Sequence, residues 1–567
     1  MTEHVRPFLA NTRIAYFTME IALRSEMHTY SGGLGVLSGD TARSCADMQI
    51  PVVFVSLMSR KGYLRQEIDA EGRQVDLPDP WEPSDWAMPL SAMVAITLEG
   101  RPVWIRPWLY VLKCPLGNTI PVILLDTDLE ANNPGDRAIT DVLYGGDDTY
   151  RLRQEAVLGI GGTRILQALG FQIHTFHLNE GHAALLTLEL LRRHRLPSGD
   201  SDGPEPLLYE REPVLESCIF TTHTPVEAGH DKFSYELITR VLGDFIELAE
   251  LKRYAGADAC NMTRLALNLS GYVNGVADRH AETTRHIFPG HRVKAVTNGV
   301  HTARWAHASF ARLYDSHIPH WSHEPETLIR ADQLGDSDIW HAHVEAKKEL
   351  IAFVKQKTGA TLDPEAALIG FARRMTGYKR PELLFTDLER LAAICERRHF
   401  QVVWAGKAHP NDLEGKRLIA DLNEHIRKLK GRITMAFLPN YDLDVAAGLV
   451  SGADIWLNTP LPPFEASGTS GMKAAINGVL NFSVLDGWWL EGWIEDVTGW
   501  AIGTDAPTEN GGHASDLYTK LETKVLPLYY DDRPRWIGMM KQSVSKLASY
   551  FNSQRMMRRY ASEAYLR

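Results

Sequence analysis

ALIGFARRMTGYKR, Ala367–Arg380, is the stretch on which the fold turns. Its first half is a short apolar run of strand length. Its second half sets Arg373, Arg374, Lys379 and Arg380 directly behind that run, in a chain whose formal net charge is −11. A buried strand that ends in a basic cluster is what an open α/β sheet presents at its ligand edge, because ligands of such sheets sit beyond the carboxyl ends of the strands. Four further runs, QVVWAGK, ITMAFLPN, ADIWLNTP and VLNFSVLD, follow at spacings that leave room for crossover helices, so this block reads as doubly wound. The N-terminal block repeats the pattern with IAYFTME, VVFVSLM, TIPVILLDTD, IHTFHLNE, ESCIFTTHTP and VKAVTNGV, interleaved with helical segments such as GHAALLTLELLRR. The expected fold is α/β, two doubly wound Rossmann-like domains facing a cleft. The expected boundaries are 1–305 for the first domain, 306–530 for the second, and 531–567 for a closing helix. In that last segment Trp536, Met540, Val544, Leu547 and Phe551 keep helical spacing and would cross back to the first domain. LPSGDSDGPEP, Leu196–Pro206, reads as a surface loop, and His317–Asp338 as the interdomain connection.

Composition narrows the function classes. At 567 residues and 44% hydrophobic content the chain can bury sizeable cores. No apolar run approaches the length of a membrane span, and the first residues lack a charged-then-apolar leader pattern, so no membrane association and a cytoplasmic location are expected. The five cysteines, Cys45, Cys114, Cys218, Cys260 and Cys395, are scattered without a C-x-x-C pair, which argues against a disulfide framework or a cysteine zinc site. The acidic balance argues against nucleic acid as a partner, and an anionic ligand requires a local basic pocket.

The polar residues behind each strand supply candidates for that pocket. YSGGLGVLSGD, Tyr30–Asp40, follows Glu20 and brings three glycines close to a helix start, where amide groups can approach an anion; a lone glycine loop is more often only a tight turn. The cluster Arg373, Arg374, Lys379 is the stronger anion candidate, against the alternative of a solvated basic face. His182 and His223 each end a strand, as catalytic groups or as satisfied structural histidines. Trp488 and Trp489 read as core filler or as a sugar-stacking pair. Lys473, in EASGTSGMKAAINGVL, has apolar neighbours; a desolvated lysine has a lowered pKa and can attack an aldehyde, and the preceding GTS amides could hold a phosphate. An aldehyde phosphate, pyridoxal phosphate, satisfies both features. A surface lysine at a helix start is the plain alternative.

Taken together, EASGTSGMK (Glu465–Lys473), MEIALRSE, SGGLG, LNEGH, THTPVEAG, TNGVHTARW, RRMTGYKR, AGKAHP and NYDLDVAAGL resemble, in order along nearly the whole chain, the α-glucan phosphorylases: glycogen, starch and maltodextrin phosphorylases, of GT-B architecture. The family's signature E-A-S-G-T-G-N-M-K ends in the lysine that carries pyridoxal 5'-phosphate. The resemblance implies that Lys473 carries the cofactor and that Arg373, Gly468 and Thr469 hold its phosphate, with Tyr441 and Glu20 also on the cofactor side. Arg374, Lys379 and the amides of Gly33 and Leu34 would bind inorganic phosphate or the phosphate of glucose 1-phosphate. Glu465, Ala466, Ser467, Gly468, Asn298 and His223 would meet the glucosyl unit, and Glu180 and His182 would approach it from a loop. Implied partners are an α-1,4-glucan, inorganic phosphate and glucose 1-phosphate, in a chain able to form a homodimer.

The departures are specific. The chain is shorter than the long animal, plant and enteric enzymes and is similar to the compact bacterial and archaeal type, with little room for their phosphorylation and nucleotide-effector sites. Asp442 stands where the long enzymes have Arg beside the cofactor tyrosine, Glu180 replaces a shorter Asp, and LNTPLPPF replaces a Ser/Thr/Gly-rich run before Glu465. Two other readings share parts of the pattern. One is a nucleotide-sugar-dependent glycogen or starch synthase, which Lys473 in its signature argues against. The other is a glucan-binding protein without activity, which the intact basic cluster argues against.

Overall fold

The computed structural model describes residues 3–196, 208–226, 229–504 and 511–566. The loop read at Leu196–Pro206 lies, past Leu196, outside the described residues. Two sheets organise the rest. The first is 10-stranded. Its parallel part runs in space as Lys294–Ala295, Tyr272–Gly275, Cys218–Thr221, Thr175–Asn179, Ile14–Thr18, Val52–Leu57, Thr119–Asp126. Arg101–Lys113, Val94–Leu98 and Met88–Pro89 extend it as an antiparallel edge. The second sheet has six strands, in the order Thr434–Leu438, Phe400–Ala405, Ala367–Ala372, Ile455–Asn458, Leu480–Val484, Gly499–Ile502, with every pair parallel.

Strand chemistry explains why both faces are covered. Side chains alternate across a strand, and here both sets are apolar: Ala15 and Phe17 enter one core while Ile14 and Tyr16 enter another, and Val53 and Val55 part from Val52 and Phe54 in the same way. Parallel sheets demand such two-sided burial because their crossover helices lie on the faces. A third core surrounds the second sheet and takes in Ile318, Trp321, Leu328 and Leu334 from the stretch read as a connection. That stretch leads into helix Asp336–Thr358, which carries acidic residues in its first turn, lysines in its last, and Gly359 at φ 74° beyond its end.

In each sheet the strand order reverses once. In the first sheet the chain moves outward from Ile14–Thr18 to Val52–Leu57 and the antiparallel edge, fills in Thr119–Asp126, then crosses to add Thr175–Asn179 on the other side of Ile14–Thr18. In the second it moves from Ala367–Ala372 through Phe400–Ala405 and Thr434–Leu438, then returns with Ile455–Asn458. Loops leaving neighbouring strands at such a point run to opposite faces and open a crevice between them. Glu20 and Glu180 follow the two strands flanking the first reversal; Arg373 and the Glu465 loop follow the two flanking the second.

The closing segment differs from the single helix expected. Arg533–Ser543 continues as a wider turn through Ala548, but Asn552 pairs with Val300 in an isolated parallel bridge and caps a separate helix, Ser553–Tyr560. An asparagine able to cap offers the chain a fresh helix start, and that break redirects it. Trp536, Met540 and Leu547 lie in the core of the second sheet, whereas Met556, Met557, Tyr560 and Ala564 lie in a core of the first. Among the described residues no helix is long and apolar enough to cross a membrane.

Candidate active site

Glu465 is the centre of the second reversal. Its Oε2 accepts hydrogen bonds from Arg373 Nη2 at 2.5 Å and from Lys379 Nζ at 2.6 Å, all three groups being buried. Burial alone would push this carboxyl up, but Lys379 and Arg373 hold it at about 2. Arg373 keeps two further donors, Nε and Nη1, buried without a partner, and Ser467 Oγ is in the same condition. A buried guanidinium left with free donors is costly unless an anion completes it. Arg374, expected to converge with the other two, is instead exposed, and its charge bears on Tyr63 and His409.

The loop carrying Glu465 is fixed from below. Asp486 accepts the amide N–H of Glu465 at 2.8 Å and that of Gly487 at 2.9 Å, and Trp488 N–H donates to Ser467 O. Burial pushes the Asp486 carboxyl up to about 7. A Cβ on Gly487 would meet Ser467 O at 2.5 Å, and Gly468 has φ 82°, so both glycines are required by the backbone. Trp488 and Trp489 are both buried in the core, which removes the sugar-stacking reading.

Lys473 is 7% exposed, on the short helix Ser470–Ile476, and its Nζ lies 4.3 Å from the centre of the Trp305 ring. Burial lowers its pKa to about 8, with Asp40 raising it and Arg304 lowering it. A shift from 10.5 to about 8 raises the uncharged fraction at neutral pH roughly 300-fold. Tyr441 is half-buried, burial pushing its phenol up to about 12 against the pull of Arg373.

At the first reversal, Glu20 anchors the glycine loop: its Oε2 accepts the amides of Ser31 at 2.6 Å and Gly32 at 3.0 Å, and its Oε1 the Tyr144 hydroxyl at 3.0 Å. The loop opens helix Gly33–Asp47. Gly35 has no room for a side chain, since a Cβ would lie 2.6 Å from Glu20 Oε2, whereas one on Gly33 would meet nothing within 4 Å. Gly33 is exposed, and with Leu34 it forms the first turn of this helix, where backbone N–H groups lack partners within the helix. Glu180 sits at φ 74° and accepts Gly181 N–H, His223 N–H at 2.7 Å and the Thr224 hydroxyl at 2.9 Å. Although burial opposes it, His223, His230 and His182 keep its carboxyl below the usual range. His223 Nε2 lies 2.7 Å from Asn179 Oδ1, and burial lowers its pKa to about 4, so the ring is neutral. His182 Nε2 is 3.3 Å from Asp231, with Nδ1 buried and unpartnered; Asn298 Oδ1 is likewise buried and unpartnered. A cavity of about 660 Å³ adjoins this group, lined in part by Tyr144, Arg151, Asp231 and His409. Sequence reasoning did not single out Trp305, Asp40 as its partner, or Asp486.

A doubly wound α/β protein with a buried Arg–Glu–Lys cluster at one strand-order reversal and a buried lysine of lowered pKa is the class these features define. The carbohydrate phosphorylase family model matches residues 204–499. The chain is 36% identical to a maltodextrin phosphorylase of Thermococcus litoralis over 97% of this chain and 70% of that protein. It is 35% identical to a glycogen phosphorylase of Aquifex aeolicus (97% and 86%) and 33% identical to one of Mycobacterium tuberculosis (98% and 71%). The chain belongs to the α-glucan phosphorylase family of enzymes.

Proposed function

We propose that this protein catalyses the reversible phosphorolysis of terminal α-1,4-linked glucose, transferring the glucosyl unit to inorganic phosphate to give α-D-glucose 1-phosphate with retained configuration. The observation that carries this reading is the Arg373–Glu465–Lys379 cluster with two guanidinium donors left over, an anion site at a strand-order reversal. The two sheets would face each other across a cleft, with Glu20, Glu180 and His223 on one wall and Arg373, Lys379, Glu465 and Lys473 on the other.

The residues present fit pyridoxal 5'-phosphate. Lys473 offers a buried amine lowered to about 8, and Arg373 offers orphaned donors for a phosphate, joined by the Gly468–Thr469 backbone and flanked by Tyr441. When bound, this group supplies a phosphate that exchanges protons with the substrate phosphate, its ring taking no electrons. The chain does the rest. Arg374 and Lys379, with the first-turn amides of Gly33 and Leu34, bind and orient inorganic phosphate against the glycosidic oxygen. Charge is the main lever: Arg373 and Lys379 against the one carboxylate of Glu465 leave the pocket net positive, and Arg374 adds an exposed cation, so an anion is drawn there. Glu465, Asn298 and His223 hold the glucosyl hydroxyls, and neutral His223 can donate or accept without adding charge. Glu180 and Glu465 are both committed to donors around them, so neither serves as nucleophile, and the incoming phosphate fills that role at C1 through an oxocarbenium-like transition state. The 660 Å³ cavity beside His182 receives the remaining glucan. Absence of disulfides among five buried cysteines suits the cytoplasm, where we place the enzyme.

The test is phosphate release from glucose 1-phosphate with a maltooligosaccharide acceptor, compared with nucleotide-diphosphate glucose as donor. Wild type uses only glucose 1-phosphate, and Arg374→Ala loses on the order of a hundredfold in kcat/KM with cofactor content kept, because a charge-assisted contact to the transferring oxyanion is gone. Use of the nucleotide sugar alone would overturn the reading, and unchanged Arg374→Ala kinetics would move the phosphate site elsewhere.

A further inference from the structure

Trp305 is held at three points. Its carbonyl oxygen accepts the Asn477 side-chain N–H at 2.9 Å, and the same Asn477 nitrogen lies 3.2 Å from Lys473 O, so the backbone of Trp305 is tied to the helix of Lys473. Its indole Nε1 donates to Asp40 Oδ2 at 2.8 Å. Its ring face meets Lys473 Nζ at 4.3 Å and the Arg304 guanidinium at 5.2 Å. Asp40 and Trp305 are 1% and 2% exposed, so this hydrogen bond is made without competition from water. Asp40 lies on helix Gly33–Asp47, the helix that opens with the glycine loop; the bond therefore joins the element carrying Gly33 to the element carrying Lys473.

We propose that Asp40 is a positioning residue: by accepting the Trp305 indole N–H it fixes the ring face against Lys473 and against the group Lys473 carries. The inference rests on reading Lys473 as the pyridoxal phosphate carrier. Tryptophan rings buried with an N–H need a partner, and with Asn477 holding only the backbone, Asp40 decides which way the indole turns. Lys473 and Arg304 both address the ring face, which either flip of the indole presents, so among these polar contacts the Asp40 bond is the one that tells the two flips apart.

The test follows loss of pyridoxal phosphate absorbance from the loaded enzyme when hydroxylamine is added. Asp40→Leu, which removes the acceptor and keeps the number of side-chain heavy atoms, loses cofactor on the order of tenfold faster than wild type, as one buried charge-assisted hydrogen bond warrants. Trp305→Phe, which removes the N–H from the other side, does the same. The double variant is no faster than Trp305→Phe alone, because Asp40 acts through the indole. Asp40→Asn, whose amide oxygen still accepts the N–H, stays within about twofold of wild type. Should Asp40→Leu fail to fold, Trp305→Phe and Asp40→Asn decide alone: a fast former and a slow latter support the inference. A wild-type rate in Asp40→Leu or in Trp305→Phe overturns it, as does a double variant whose effect is the product of the two. A wild-type enzyme that contains and takes up no pyridoxal phosphate overturns the functional reading itself, which separates the two failures.

Discussion

Glu465 places a negative charge inside the pocket we propose for phosphate, and its partners Arg373 and Lys379 are buried with it. Removing that charge without removing volume leaves two buried cations uncompensated, a loss of about 3 kcal/mol or more. Glu465→Gln is accordingly expected to melt lower than wild type in plain buffer. It should also gain more stability than wild type from millimolar inorganic phosphate, because the anion replaces the missing carboxylate, while turnover falls with the lost glucosyl contact. Equal phosphate stabilisation in both proteins would detach the cluster from phosphate binding. Asp486 gives a second prediction at this scale. Its carboxyl is raised to about 7 by burial, so the folded state holds a proton that the unfolded chain releases near 4. The associated stability is present below about pH 4 and is lost as pH rises through about 7, by at most about 4 kcal/mol. Urea unfolding at pH 5 and pH 8 should show this decline in wild type and a smaller one in Asp486→Asn; identical slopes would contradict it. Lys473, Arg373, Lys379 and Glu465 were legible in the sequence because each lies in a short contiguous motif. Trp305 with Asp40 was not, since the two are 265 positions apart and neither motif names its partner.

The helix Gly33–Asp47 makes the case at the scale of an element. Its glycine loop looked uniform in sequence, yet its glycines do different jobs. Gly35 is enclosed, with Glu20 Oε2 and Tyr30 Cβ 2.6 and 2.7 Å from a built Cβ, while Gly33 is open. Gly35→Ala should cost about 1–3 kcal/mol through overpacking against the anchored Glu20. Gly33→Ala should keep the melting temperature of wild type and raise KM for phosphate, because its methyl crowds the space an anion would use. If Gly33→Ala changed stability and left KM alone, the open face of the loop would have no part in phosphate binding. The strands of the second sheet were read from their apolar runs except Gly499–Ile502, whose four residues include a glycine and give no period. Tyr272–Gly275 escaped for the same reason. The antiparallel edge Val94–Lys113 escaped because its turn, Glu99–Gly100 with φ of 50° and 74°, leads into a run interrupted by Pro102 and Pro107.

At the scale of the whole molecule, apolar runs announce strands but not which strands are neighbours. The reversals of strand order, and with them the reason Arg373 meets Glu465 across 92 positions, are set by pairing that no local pattern displays. The two-part closing segment was hidden likewise: Trp536 to Leu547 keep one helical period, and only the bridge from Asn552 to Val300 shows where the chain turns back to the first sheet. What the sequence did carry at this scale is the family's ordered motifs, and they lead to one claim, that phosphate rather than water cleaves the glucan. The most direct measurement is the product formed from a maltooligosaccharide in phosphate buffer, identified by phosphorus and proton magnetic resonance. The expected result is α-D-glucose 1-phosphate in step with glucan shortening, abolished in Lys473→Ala at unchanged fold. Free glucose in place of the phosphate ester, or equal turnover without phosphate, would contradict the account.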